Sequence, residues 1–313
     1  MKKAFLGMLL VVIATGLGSC ADTGAKPDAL PITLRESVGV VALDPDQPVD
    51  KRKEAVAVLE SIAEGEKQDD RLINRASALY ILGSLYRLGK QHPAKFFEQD
   101  LEKAALYLSN ASTFGMVAAM AAMAELKLTQ HKPLDAMIWA QVFAYYTKVQ
   151  RETELEAYGV DNGAYAAFLL SRCFDSLGKK ADHDEIQRGA AAFAAQYDQQ
   201  IREAIKKNVE WRAEINRSTP NAALSLLRQN APTSNENWPK TPGAIVYILA
   251  VDLRGKVIKT FVADSLPDEA IAKAFRRVDY TSYLHFNEVP KEADVRWAQV
   301  PVYFDNNTFS IKK

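Results

Sequence analysis

The sequence predicts a multidomain chain: an all-α helical-repeat domain over residues 50–216, then a small α+β domain of ββαβ order over residues 243–313. Three observations carry this. Apolar residues recur at intervals of three and four through the first region, the spacing that lines one face of a helix. Small and aromatic residues return there in a similar order, each set closed by a glycine, as stacked helical units require. After Pro242 the pattern becomes β-branched runs separated by a turn, which is the mark of strands. The remaining segments are a signal peptide over 1–19, a flexible tether over 20–49 and a linker over 217–242.

Each element has its own justification. Lys2 and Lys3 precede an apolar run over 4–15, and small residues lead to Cys20. That is the order of a secretory signal, and the run is too short for a permanent membrane span. Pro27, Pro31, Pro45 and Pro48 discourage regular structure in the tether. Val56, Leu59 and Ile62 form the first helical stripe; Leu72, Ala76, Leu79, Leu82 and Leu85 form the second. Asp69 or Asp70 caps that second helix and Gly89 stops it. Asp100 opens a third helix that closes at Gly115. Further helices are expected over 118–128, 134–146 and 165–177, the last ended by Gly178. Residues 184–216 read as one long helix with Ile186, Phe193, Tyr197, Ile201 and Ile205 along a single stripe. Such a helix either caps the array or spaces it from the C-terminal domain. An irregular bundle without a groove is the alternative to stacked repeats.

Strands are expected over 244–251, 256–263 and 296–304, with Asp252-Leu253-Arg254-Gly255 as the first turn. Pro267 suits a first helical turn, and Ile271, Ala274, Phe275 and Val278 give the helix over 267–278 one apolar face. Both faces of the first strand are apolar. One face meets that helix; the other needs cover from the repeat domain or from another chain.

Composition and motifs exclude more than they assign. Basic and acidic residues balance at 39 each, without the basic excess that nucleic acid demands. No phosphate-binding loop, nucleophile elbow or zinc-protease motif is present. His92, His131, His183 and His285 make no metal spacing. Asp182-His183-Asp184-Glu185 is the one dense polar cluster; it could hold a metal ion, or cap the long helix that begins there. Ser265, after Asp264, reads as a helix cap rather than a nucleophile. Trp139, Tyr145 and Tyr146 are either repeat core or a platform for a partner or glycan. Cys173, the one cysteine besides Cys20, is a buried small hydrophobe or an exposed reactive thiol. The expectation is no catalytic residue, no metal and no cofactor.

Three segments resemble known families. Leu17-Gly18-Ser19-Cys20 resembles the lipobox of bacterial lipoproteins. The resemblance implies that Cys20 becomes the acylated first residue of the mature chain. Ala21, where an inner-membrane lipoprotein carries Asp, implies the outer membrane, facing the periplasm. Ala78-x-x-x-Leu82-Gly83-x-x-Tyr86-x-x-Gly89, followed by Asp100-x-x-Lys103-Ala104-x-x-Tyr107-x-x-x-Ala111-x-x-x-Gly115, resembles a Sel-like repeat, a relative of the tetratricopeptide repeat. Such arrays present a concave face to partners.

Gly243, Ile245-Val246, Val251-Asp252-x-x-Gly255-x-Val257, Val262-x-x-Ser265, Ala272-x-Ala274-Phe275 and Val300-Pro301-Val302-x-Phe304 resemble the C-terminal domain of TonB-type energy transducers. The resemblance implies strand addition of a receptor peptide to the last strand, at Arg296, Trp297, Gln299 and Tyr303. That family carries a transmembrane anchor in place of a lipid signal, so the resemblance extends to fold and peptide binding rather than to energy transduction. Together these features imply a non-enzymatic, periplasm-facing lipoprotein. It would act as an adaptor between envelope proteins, an outer-membrane receptor or its peptide among them. It would hold the membrane through its N-terminal lipid and bind no nucleic acid. The alternative is an accessory of TonB-dependent transport; the minor alternative is an envelope hydrolase.

Overall fold

The run Val38-Gly39-Val40-Val41-Ala42-Leu43 is short, but four of its residues are buried, and it folds as helix α1 (Val38–Leu43). These residues were expected within the tether. The prolines at 45 and 48 lie beyond the run, in the turn after it, so they delimit the helix rather than forbid it. In this computed structural model the described residues are 37–67, 73–153, 163–178, 182–218, 224–226, 242–252, 257–268, 282–284, 295–305 and 308–311. The signal peptide, Cys20, the expected helix after Asp268 and most of the linker lie outside them.

Helix α2 (Val49–Glu64) buries Ala55, Val56, Leu59, Ile62 and Ala63 and ends at Gly65 with φ +82°. Helix α3 (Arg75–Leu88) is capped by Asn74, whose side chain accepts from the Ser77 N–H at 2.9 Å. The expected caps, Asp69 and Asp70, lie outside the described residues. A 3-10 turn over Gly89–Gln91 comes next, and an extended stretch leads to α4 (Leu101–Thr113). As expected, Asp100 caps α4, accepting from the N–H groups of Glu102 and Lys103. Gly83 shows why small residues recur here. A Cβ on it would sit 2.6 Å from Cγ of Leu108, so glycine lets α3 and α4 approach closely. The fully buried Leu108 fills that contact, a burial that contributes about 2 kcal/mol.

Helix α5 (Val117–Thr129) is the centre of the packing. Nine of its residues are buried, and it touches α3, α4, α6 (Pro133–Thr153), α7 (Gly163–Leu177) and strand β3 (Val257–Leu266). Alanines and methionines make this possible: small or pliable side chains on every face let neighbours close in from all sides. Helix α6 (Pro133–Thr153) and helix α7 (Gly163–Leu177) come after it. Helix α8 (His183–Ser218) packs back on α6 and on the end of α4. Asp182 caps it, accepting from Asp184 and Glu185 N–H. Its contacts make it a cover over α4 and α6 rather than a spacer. Gly115, at φ +79°, lies directly beneath it; a Cβ there would meet Ile205 N at 2.6 Å.

The C-terminal part is antiparallel. Strands β2 (Gly243–Asp252), β3 (Val257–Leu266), β5 (Val295–Asp305) and β6 (Thr308–Ile311) form a sheet in the order β3-β2-β5-β6. A separate two-stranded pair joins β1 (Leu224–Leu226) to β4 (Ser282–Leu284). Residues 224–226, expected in the linker, are therefore a strand, apart from the rest of that segment. Ala244, Val246, Ile248, Phe261, Ala263 and Leu266 join the same hydrophobic core as the helices. One face of the first strand thus finds cover within the chain, beside β3, which packs on α1, α3 and α5.

Candidate functional site

On α3, Tyr80, Ser84 and Arg87 are spaced four and three apart and share one face. That face meets Asp264 of β3. The pairing of β2 with β3 shifts register between Val246 and Tyr247, leaving Ala263 as an extra residue. Such a bulge re-aims side chains. Neighbouring Ala263 and Asp264 therefore both contact the helical side, where a regular strand would point them apart.

Asp264 is fully buried and completely served. Tyr80 OH donates to Oδ2 at 2.6 Å; Ser84 Oγ (2.5 Å), Arg87 Nη2 (2.8 Å) and the Ser265 N–H (2.8 Å) all donate to Oδ1. Arg87 also donates to the carbonyls of Ser265 (2.7 Å) and Pro267 (3.1 Å). Burial by itself would push the Asp264 carboxyl up. The Arg87 charge and the hydroxyls of Ser84 and Tyr80 outweigh it and hold the carboxyl below its usual range. His92, at 0 % exposure, sits beside the pair, its Nε2 3.4 Å from the Ala263 carbonyl. Its Nδ1 accepts from the Ala94 N–H, and burial lowers its pKa to about 4. The imidazole is neutral at pH 7.

A second polar group lies around Glu125, the one acid in the buried run of α5. Glu125 Oε1 accepts from Tyr165 OH at 2.8 Å and from Arg172 Nη1 at 2.5 Å, both on α7. Burial and the Glu125 carboxylate push the Tyr165 phenol well up. Glu125 and Arg172 open on a cleft of about 510 Å³, with His131, Asp268 and apolar Leu128 and Pro133 on its walls.

The sequence-predicted site residues are not brought together. Arg296, Trp297 and Gln299 pair through their backbone with Val251, Ala250 and Ile248 of β2. Tyr303 pairs with Ala244 on one side and with Ser310 of β6 on the other. The expectation that this is the outermost strand is therefore corrected at Tyr303, because β6 adds one strand beyond it over Val302–Asp305. Trp139 packs edge-on against Phe193 of α8 at 5.0 Å between centroids. Tyr146 is fully buried and donates to Asp198 at 3.1 Å; Tyr145, 45 % exposed, packs edge-on against it. Trp139 and Tyr146 pack in the seam between α6 and α8, and Tyr145 stays exposed at its rim.

Cys173 is buried at 0 % exposure, and burial pushes its thiol up to about 12, the inert alternative. The cluster Asp182-His183-Asp184-Glu185 is a helix cap, and no group of ligating side chains fit for a metal occurs among the described residues. Ser265, expected to cap a helix, instead lies at the end of β3, with its hydroxyl donating to the Asp268 carbonyl.

Sequence reasoning missed Tyr80, Ser84, Arg87, Glu125 and Arg172. The available signal was a polar side chain on a helix face otherwise reserved for core. No protein-family model, curated protein or solved structure matches this chain.

Proposed function

We propose that this chain is a non-enzymatic, lipid-anchored adaptor of the cell envelope, in which Sel-like helices and a TonB-like sheet act as one body. The observation that carries the reading is the Asp264 cluster. It joins the sheet to the helices through a fully buried ion pair, so a partner held on one is held at a fixed place relative to the other. Anchoring rests on Cys20 and the basic and apolar residues before it. Among the described residues no helix is long and apolar enough to cross a membrane. By the same reading the anchor is in the outer membrane and the folded part faces the periplasm.

A second reading, an accessory of TonB-dependent transport, has one favourable feature. Over Arg296–Gln299 the register gives β5 a partner on the β2 side, and among the described residues its other side is paired only from Val302 onward, by β6. An unpaired backbone edge of that kind can accept an extended peptide. Pro301 ends that edge, lacking an N–H.

The test is photocrosslinking in cells of the full-length protein carrying a crosslinker at position 299, with Trp297→Ala as the comparison. Transfer to a receptor that Trp297→Ala abolishes supports strand addition. Partners unchanged in the variant place docking on the helices. Radiolabelled palmitate incorporation lost in Cys20→Ala checks the anchor, and turnover of generic ester or peptide substrates would revive a hydrolase.

A further inference from the structure

Beyond any role as an adaptor, we propose that the cleft between α5, α6 and α7 binds a free α-amino acid. Its floor is an ion pair with unused capacity. Glu125 is 3 % exposed, and one of its oxygens, Oε1, takes both the Tyr165 hydroxyl and Arg172 Nη1. The other oxygen, Oε2, accepts no hydrogen bond among the described residues, and it is not one of the buried atoms left without a partner, so it opens on the cleft that Glu125 lines. An acceptor at the floor of a cleft is available to a donor that enters it. Arg172 is one-third exposed, with its charge over the Phe168 ring at 5.3 Å. Among the described residues only its Nη1 donates, to Glu125, and the side chain lines the cleft, which leaves further N–H donors there.

An acceptor and a donor set, side by side, select the ligand. A simple anion would meet Arg172 but also the Glu125 and Asp268 carboxylates; a simple cation would meet those two but also the Arg172 charge. A molecule with both charges adds no net charge to the site. The two protein charges are in direct contact, 2.5 Å apart, so the ligand's charges must also be neighbours. The ammonium and carboxylate of an α-amino acid, on one carbon, meet that condition. The ammonium donates to Glu125 Oε2 and the carboxylate accepts from Arg172, as charge-assisted hydrogen bonds. The imidazole of His131 lines the cleft, where a ring N–H can donate to the carboxylate. Leu128, Pro133 and Pro267 supply apolar wall for the side chain, and about 510 Å³ accommodates one with room to spare.

The experiment is calorimetric titration of the full-length protein in detergent with L-leucine, chosen for the apolar wall. Three comparison ligands complete the set: N-acetyl-L-leucine, which loses the ammonium; L-leucinamide, which loses the carboxylate; and 6-aminohexanoate, an isomer of leucine with its charges at opposite ends. Binding of L-leucine, with each comparison ligand weaker by about tenfold or more, is the expected result. Arg172→Gln should remove binding, with its melting temperature recorded alongside. No heat from L-leucine or from any of the other free L-α-amino acids would overturn the proposal. So would equal affinity for 6-aminohexanoate, a result independent of how any variant folds.

Discussion

Arginine, aspartate and tyrosine meet twice in this protein, and the two meetings differ chiefly in their exposure to water. Where α3 meets β3, Arg87 and Asp264 are 6 % and 0 % exposed, with Tyr80 donating to the carboxylate. Where α6 meets α8, Arg202 and Asp198 are 42 % and 36 % exposed, with Tyr146 donating to the carboxylate and Arg202 to Tyr145. The Arg–Asp distance is 2.8 Å in both. Coulomb's law then gives the two pairs different weights because the effective dielectric differs. The buried pair has also lost its hydration, so it depends on every donor around it. The exposed pair can exchange its partner for water at little cost. Burial, more than contact distance, decides which of these seams holds the molecule together.

The largest expected effect comes from breaking the buried seam. Asp264→Ala leaves Arg87 charged, buried and short of its main acceptor, and should cost about 3–5 kcal/mol in chemical denaturation. The double variant Arg87→Met/Asp264→Leu should recover part of that loss, since apolar replacement of a buried pair is often tolerated. Recovery stays partial because the Ser265 and Pro267 carbonyls lose their donor as well. If Asp264→Ala cost no more than Arg202→Ala, the comparison would fail.

Acid should attack the same seam next. His92 has a folded pKa of about 4, against about 6.5 when unfolded. Between those values the unfolded chain binds a proton that the folded chain refuses. The contribution is complete above about pH 6.5 and declines as pH falls toward 4, by up to about 3 kcal/mol. A second loss sets in below about pH 4, as Asp264 is protonated through its depressed folded pKa. Denaturation midpoints measured from pH 7 to pH 4 should fall steadily in the wild type, and His92→Gln should flatten that window.

The α6–α8 seam should respond less. Tyr146→Phe removes one hydrogen bond from a fully buried ring and should cost about 1 kcal/mol. The smallest effect is Arg202→Ala, below about 1 kcal/mol and weakened further by salt. A loss comparable to that of Asp264→Ala would show the two seams to be equivalent after all.

Much of the helical part was legible along the chain. Asp100 and the apolar stripe of α4, the stops at Gly89 and Gly178, and the long helix after Asp182 are local signals, read from spacing and caps. Helix α1 was hidden because six apolar residues between prolines hold too little periodicity; only contact with the core makes them helical. Among the charged residues, Glu125 and Arg172 stand 47 positions apart and Arg87 and Asp264 stand 177 apart. No local pattern links groups at such distances. Their chemistry exists only once α5 meets α7 and α3 meets β3.

Taken alone, the sequence determined the switch from helical to strand periodicity and most helix ends, because each depends on neighbours a few residues away. The tertiary structure decided that sheet and helices share one core, that β6 lies outside β5, and that Asp264 is a buried anchor rather than a turn residue. Those outcomes depend on which surfaces exclude water together, and burial is a property of the packed whole.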